Sequence, residues 1–174
     1  GATAVLAMGL PLAGDASFRR YFRVQASGRS AILMDAPPPH ENPKPFLDVA
    51  HWLTARGFPA PAIIGTDLAQ GLVLLEDFGD ARMRETVDAA PESLLRLYEA
   101  AVDILTRLRD EPAGPWKPYD RSELHREADL LVEWYCPAIG LAVSLDDYRA
   151  AWDAVFETAL APEPVTVLRD YHAE

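Results

Sequence analysis

The alternation of polar and apolar residues in the first third of the chain predicts β-strands joined by short turns. Leu6–Leu12 is an apolar run. In Phe18–Val24 the strand alternation places Phe18, Arg20, Phe22 and Val24 on one side and Arg19, Tyr21 and Arg23 on the other. A tight-turn signal at Ser27–Gly28 precedes Ser30–Met34, a buried-strand pattern. Three consecutive strands with short links predict an antiparallel meander. Two further strands are predicted at Ala62–Asp67 and Gly71–Phe78.

One helix is predicted within this strand-rich part. Phe46–Arg56 carries apolar residues at helical spacing, and Gly57 provides a C-terminal stop. The preceding Ala36–Pro45 is rich in proline, which fixes φ and removes backbone donors, so we expect an irregular connection there. A polyproline ligand for a recognition domain is the alternative interpretation of this segment.

The pattern changes to helices after Gly79. Ser93–Leu108 repeats apolar residues at helical spacing. Capping-box pairs at Asp120/Glu123 and Ser144/Asp147 predict helices that run to Tyr135 and Leu160, and Val165–Leu168 is a short strand pattern. Strands with one helix followed by helices predict an α+β fold in two parts, with a boundary near Gly79–Ala90.

Composition limits the class of protein. The 174 residues suffice for one domain or two small lobes, and the net charge of -11 argues against a general nucleic-acid surface. No apolar run approaches the roughly 20 residues of a membrane span. Cys136 is the single cysteine, which leaves no internal disulfide and favours a reducing cytoplasm.

One stretch departs from the acidic composition. Ala16–Met34 contains no acidic residue but four arginines: Arg19, Arg20, Arg23 and Arg29. Such a cluster indicates a local anion site. From composition alone, the solvent-exposed face of a strand pair explains it better.

Two short motifs invite comparison with kinases. Asp77-Phe78-Gly79 has the letters of the kinase metal-binding motif, but in kinases that motif follows the catalytic loop, whereas here it precedes Arg169-Asp170. We therefore interpret Asp77 as a strand end that leads into the link between two lobes, where backbone groups can meet an adenine edge. Arg169-Asp170 follows a strand pattern, as does the kinase aspartate that accepts the proton of the substrate hydroxyl.

Four stretches in order, "LAGDASFRRYFRV", "ILMDAPPP", "GLVLLEDFGD" and "VLRDYHAE", carry a resemblance. The chain resembles the aminoglycoside phosphotransferase and choline kinase family, and within it the bacterial kinases of N-acetylmuramate and N-acetylglucosamine in cell-wall recycling. The resemblance implies a protein-kinase-like two-lobed fold, with a nucleotide-binding lobe at residues 1–79 and a helical substrate and catalytic lobe from residue 80 to 174. It also implies ATP with Mg²⁺, and transfer of the γ-phosphoryl group to a hydroxyl of a small molecule, an amino sugar.

The resemblance assigns roles to individual residues. The family's loop D-x-H-x-x-N implies Asp170 as the catalytic base and His172 as loop support; its asparagine would follow Glu174, so we expect the sequence to continue. The residues implied to bind ATP are Asp15, Ser17, Arg19, Arg20 and Arg23 over the phosphates, and Glu76, Asp77 and Phe78 beside the adenine. No residue of this chain is assigned to the metal.

Departures from the family keep alternatives open. Met34 or Asp35 stands about where the family has its strand-three lysine, which Arg20 or Arg23 would have to replace, and Arg169 falls where many relatives have glycine. A second hypothesis is a kinase for an aminoglycoside or choline, which the acidic charge suits. A third is a degenerate kinase-like module that binds nucleotide or a partner without catalysis; the missing lysine favours it, and the Asp170 loop weighs against it.

Overall fold

The computed structural model describes residues 10–12 and 18–172. The described residues divide into two compact units that separate in sequence between Ser93 and Leu94. No helix within these ranges is both long enough and apolar enough to cross a lipid bilayer.

The first unit is built on a five-stranded antiparallel sheet. Its strands lie in the order β1-β2-β3-β5-β4. Their bounds are β1 Leu10–Pro11, β2 Arg20–Ala26, β3 Arg29–Asp35, β4 Ile63–Asp67 and β5 Leu72–Glu76. The strands predicted in this unit are present, except that residues 6–9 of the predicted strand Leu6–Leu12 lie outside the described residues. Ser27 and Gly28 take the positive φ values of the predicted turn between β2 and β3.

The helix α1, Lys44–Ala55, contributes Leu47 to the core of this unit. Met34, Val73 and Leu75 cluster with Leu47 of α1, and Met34 and Val73 are fully buried. The helix begins inside the proline-rich segment, because proline is tolerated in the first turn, where backbone N–H groups have no helical acceptor. Gly57 ends it with a φ of +74°.

The second unit is helical. It contains α3, Leu94–Arg109; α4, Arg121–Leu130; α5, Cys136–Ala138; and α6, Leu145–Ala159, while α2, Met83–Ala89, belongs to the first unit. The predicted caps are confirmed. Asp120 accepts a hydrogen bond from the Glu123 N–H at 3.1 Å, and Ser144 accepts one from Asp147 at 3.3 Å.

The structure differs from the predicted elements at three places. The helix predicted to run to Tyr135 leaves the α-helical pattern at Leu131–Tyr135, which forms a π-helical turn before α5. The short α2 was not predicted. The strand predicted at Val165–Leu168 was wrong: in the described part of the chain this segment pairs with no other strand. A strand depends on a partner distant in sequence, which a local pattern does not reveal.

Candidate active site

The first cluster of predicted site residues lies on the sheet of the first unit. Arg23 of β2 donates two hydrogen bonds to the Asp77 carboxylate, at 2.8 and 3.1 Å. Its remaining terminal nitrogen lies 2.8 Å from the carboxylate of Asp80. The Gly79 N–H also donates to Asp77, at 2.9 Å. The guanidinium of Arg23 is therefore bound by two carboxylates of the same unit.

Hydrogen bonding fixes the charge of this cluster. The Arg23 guanidinium, followed by the Gly79 N–H, holds the pKa of Asp77 below its ordinary value. Asp77 in turn raises the pKa of Arg23, with a further contribution from Asp80. The Asp77 side chain is only 4% exposed, so this carboxylate stays ionised and fully engaged.

The two other predicted phosphate-binding arginines also face carboxylates. Arg20 pairs with Asp35, its register partner on β3. The Arg19 Nε lies 3.9 Å from the Glu41 carboxylate. Phosphate binding by these arginines stays a prediction, and it would require phosphate to compete with the carboxylates. The predicted phosphate contacts Asp15 and Ser17 lie outside the described residues.

The strand position at which the sequence lacks a lysine is part of the core. Met34 is fully buried and packs against Leu47 and Val73, so this position presents no group to a ligand. Asp35 beside it is engaged by Arg20. Within the described residues, the basic groups nearest in strand register are therefore the paired arginines of β2.

The segment predicted to line adenine offers main-chain atoms and one ring. The Glu76 carboxylate accepts a hydrogen bond from the Ala62 N–H at 3.0 Å, and the Asp77 carboxylate accepts hydrogen bonds from Arg23. Phe78, by contrast, is 64% exposed. Adenine binding here stays a prediction, and it would depend on backbone groups and the Phe78 ring.

The second cluster surrounds Asp170 in the helical unit. Asp170 is exposed, and among residues 10–12 and 18–172 its carboxylate has no hydrogen-bond or ion-pair partner. The residues on either side are anchored. The Arg169 guanidinium pairs with Glu127 of α4, and the Tyr171 hydroxyl donates to the Ala101 carbonyl of α3 at 3.2 Å. An exposed carboxylate on an anchored segment can accept a proton from a bound hydroxyl.

His172 follows in the same segment. It is exposed, and it takes part in an interaction within the structure. Its role as support for the catalytic loop stays a prediction.

A groove of about 440 Å³ lies between α3 and the segment that leads to Asp170. Its lining includes Leu105 and Leu108 of α3, with Val167 and Tyr171 opposite. Asp170 does not line it, so the groove and the exposed carboxylate are different features.

A metal site is not formed by the described residues. No group of three or more histidine, cysteine, aspartate or glutamate side chains within them is arranged to hold a metal ion. Mg²⁺ in kinases is commonly held by one or two carboxylates together with substrate phosphates and water, so its binding by this chain stays a prediction.

Sequence patterns predicted a catalytic role for Asp170 but not the contacts of the residues around it. Glu127 lies 42 positions before Arg169, and it also accepts a hydrogen bond from the Tyr119 hydroxyl. No local motif connects these residues. The sequence offered only a glutamate on a predicted helix and an arginine in a predicted loop, and such residues are common in proteins.

Comparison with known proteins decides the family. The model of the phosphotransferase enzyme family matches residues 9–174. The chain belongs to the phosphotransferase enzyme family. The resemblance inferred from the four sequence stretches, and the α+β kinase-like fold inferred with it, are thereby confirmed.

Relatives within the phosphotransferase enzyme family carry a more specific name. The N-acetylmuramate/N-acetylglucosamine kinase of Pseudomonas putida is 39% identical over 163 residues, which cover 90% of this chain and 47% of the relative. The kinase of that name from Pseudomonas aeruginosa is 39% identical over 168 residues, covering 93% and 49%. The Caulobacter vibrioides kinase is 30% identical over 203 residues, covering 94% and 56%. The chain thus spans about half the length of these curated relatives.

Proposed function

We propose that this chain supplies the ATP-binding lobe and the catalytic base of a kinase that phosphorylates a hydroxyl of N-acetylmuramate or N-acetylglucosamine. Family membership supports phosphoryl transfer, and the relatives named above support the amino sugar. The single observation that carries the proposal is the exposed carboxylate of Asp170, which has no partner within the described part of the chain and lies between two anchored neighbours.

The proposed reaction makes one bond to the γ-phosphorus and breaks one, and it moves one proton. The sugar hydroxyl oxygen bonds to the γ-phosphorus of ATP, the bond from that phosphorus to the β,γ-bridging oxygen breaks, and ADP leaves. Asp170 accepts the hydroxyl proton.

The substrate side of the proposal calls for orientation of a neutral or acidic sugar. The hydroxyl must lie within hydrogen-bond reach of Asp170 and in line with the γ-phosphorus. The net charge of -11 would suit a cationic aminoglycoside or choline instead. Whole-chain charge does not locate a substrate site, so the named relatives carry more weight.

A coupled ADP-release assay on the full-length natural protein tests the proposal. The acceptors are N-acetylmuramate, N-acetylglucosamine, kanamycin and choline, with ATP and Mg²⁺ present. We expect turnover with one or both sugars. Turnover of kanamycin or choline with none on either sugar would establish the cationic-substrate kinase instead.

A non-catalytic nucleotide-binding module is the second candidate. The observation that favours it is the fully buried Met34 at the position where the family has its lysine. ATP binding measured by calorimetry, with no ADP release for any acceptor, would establish this function.

A further inference from the structure

Arg169, next to the proposed base, has an unusual backbone conformation. Its φ is +62°, in the left-handed region that favours glycine and that few other residues adopt. Such a conformation persists only where the surrounding structure holds it. The contacts of the Arg169 side chain therefore matter for this conformation.

These contacts are made to one carboxylate and one aromatic ring. The guanidinium pairs with the Glu127 carboxylate of α4 and lies 5.5 Å from the centre of the Tyr119 ring. Tyr119 donates its hydroxyl to the same carboxylate, so Arg169 and Tyr119 converge on Glu127. Arg126 also reaches Glu127, at 3.2 Å. The Glu127 side chain is 27% exposed, so this carboxylate is partly removed from water.

The other neighbour of Asp170 is anchored to a different helix. The Tyr171 hydroxyl donates to the main-chain carbonyl of Ala101, within α3. Asp170 therefore lies between one contact to α4 and one to α3. Its own carboxylate takes part in neither contact.

We propose that Glu127, acting through Arg169, and Tyr171, acting through the Ala101 carbonyl, are positioning residues that fix the place and direction of the Asp170 carboxylate. This inference rests on the proposed function of Asp170 as the base. A base gains its effect from geometry, and a misplacement of about 1 Å can cost roughly 100-fold in rate. Anchoring the neighbours fixes the carboxylate without occupying its oxygens.

The first experiment measures kcat and KM of the full-length protein with N-acetylmuramate. Glu127→Gln removes the charge that holds Arg169, and we expect kcat to fall roughly tenfold or more with KM for ATP changed by less than about twofold. Tyr119→Phe removes one hydrogen bond to Glu127, and we expect a milder fall, roughly two- to tenfold. Glu157→Gln is the matched control, since Glu157 of α6 pairs with Arg121 and not with Arg169.

A glycine variant separates backbone conformation from anchoring. Arg169→Gly accepts a φ of +62° without strain but loses the contact to Glu127. We expect its kcat to fall as far as that of Glu127→Gln. Wild-type kcat in Arg169→Gly would show that the backbone conformation alone places Asp170, and would overturn the proposed role of Glu127.

A cycle with Glu127→Gln, Arg169→Gly and the double variant completes the test. In kcat the double variant should be no slower than either single one, because both remove the same contact. The same cycle in the unfolding equilibrium constant should show a coupling of about twofold or more. Independent effects in both measurements overturn the inference. If the wild type turns over neither sugar, the proposed function fails, whereas the unfolding cycle still decides whether Glu127 holds Arg169.

Discussion

Two aspartates of this protein are held in opposite ways. Asp77, at the end of β5, is almost fully buried and receives hydrogen bonds from Arg23 and from the Gly79 main chain. Asp170, in the helical unit, is exposed and without a partner among the described residues, while the residues on either side of it are anchored. Both stand in motifs that look like kinase motifs in the sequence.

The difference in burial and hydrogen bonding distinguishes a carboxylate that stabilises the fold from one that is available to react. A buried carboxylate with a lowered pKa and filled acceptor sites stabilises the fold and has little capacity left for a ligand. A carboxylate whose oxygens are open, on a segment fixed through its neighbours, is arranged to receive a proton. We therefore expect Asp77 to act in the stability of the first unit and Asp170 to act in catalysis.

The largest expected effect is on turnover. In the full-length protein, Asp170→Asn should lower kcat roughly 100-fold or more, the usual scale for loss of a positioned general base. Steady-state ADP release measures it. Asp110→Asn, a similarly exposed aspartate at the end of α3, is the control and should retain wild-type kcat. Near-normal turnover in Asp170→Asn would end the assignment of the base.

The matching change in the first unit should act on stability. Of the two described carboxylates that bind the Arg23 guanidinium, Asp77→Asn leaves the exposed Asp80, so we expect Tm to fall by about 5 °C. Scanning calorimetry measures this change. An unchanged Tm together with a large loss of ATP affinity would show that Asp77 belongs to the ligand site and that the comparison is wrong.

Substitutions of the arginines of β2 should likewise differ, with one affecting ATP affinity and the other affecting stability. Among the described residues, Arg20 is exposed and pairs with Asp35, whereas Arg23 is engaged by Asp77 and Asp80. If Arg20 contacts phosphate, Arg20→Ala should raise the Kd for ATP about three- to tenfold, less than a full charge-assisted contact because Asp35 competes. Arg23→Ala should instead lower Tm. Calorimetric titration that gives unchanged Kd values for both variants, and for Arg19→Ala, would leave the cluster without a phosphate role.

The smallest expected effect concerns acid stability of the helical unit. Arg126, and then Lys117, lower the pKa of Glu123 from 4.5 to about 2. A lowered carboxyl pKa contributes stability above the unfolded value, and this contribution is lost as the pH falls from about 4.5 towards 2. The difference in Tm between wild type and Glu123→Gln should therefore shrink over that range. We expect it to be small, because Arg126 and Lys117 are exposed and screened by water and salt. A difference that does not change with pH would contradict the ion-pair account.

Local signals predicted the elements that depend on local chemistry. The caps at Asp120 and Ser144 and the stop at Gly57 were predicted because each acts within one helical turn. The strand at Val165–Leu168 failed because a strand requires a partner from elsewhere. The short, largely exposed α2 has no apolar face strong enough to mark it.

The candidate site shows the same contrast between features that are local in sequence and contacts between residues distant in sequence. Asp170 was identified from a loop motif that is contiguous in sequence. The pairing of Arg23 with Asp77 spans 54 positions, and that of Arg169 with Glu127 spans 42. Neither arginine carried a signal of its partner. The phosphate role predicted for Arg23 stays a prediction, and Arg169 was given no role. Contacts of this kind follow from the fold and from nothing nearer in the sequence.

A single-turnover measurement tests the central claim most directly. Full-length wild type, Asp170→Asn and Asp77→Asn are mixed with labelled ATP and excess N-acetylmuramate, and phosphosugar formation is followed, so that slow product release does not mask chemistry. ATP affinity is measured by calorimetry on the same samples. We expect Asp170→Asn to bind ATP like the wild type and transfer roughly 100-fold more slowly, while Asp77→Asn transfers at a near-wild-type rate at a temperature where it is folded. Rapid transfer by Asp170→Asn, or a larger loss in Asp77→Asn, would contradict the account.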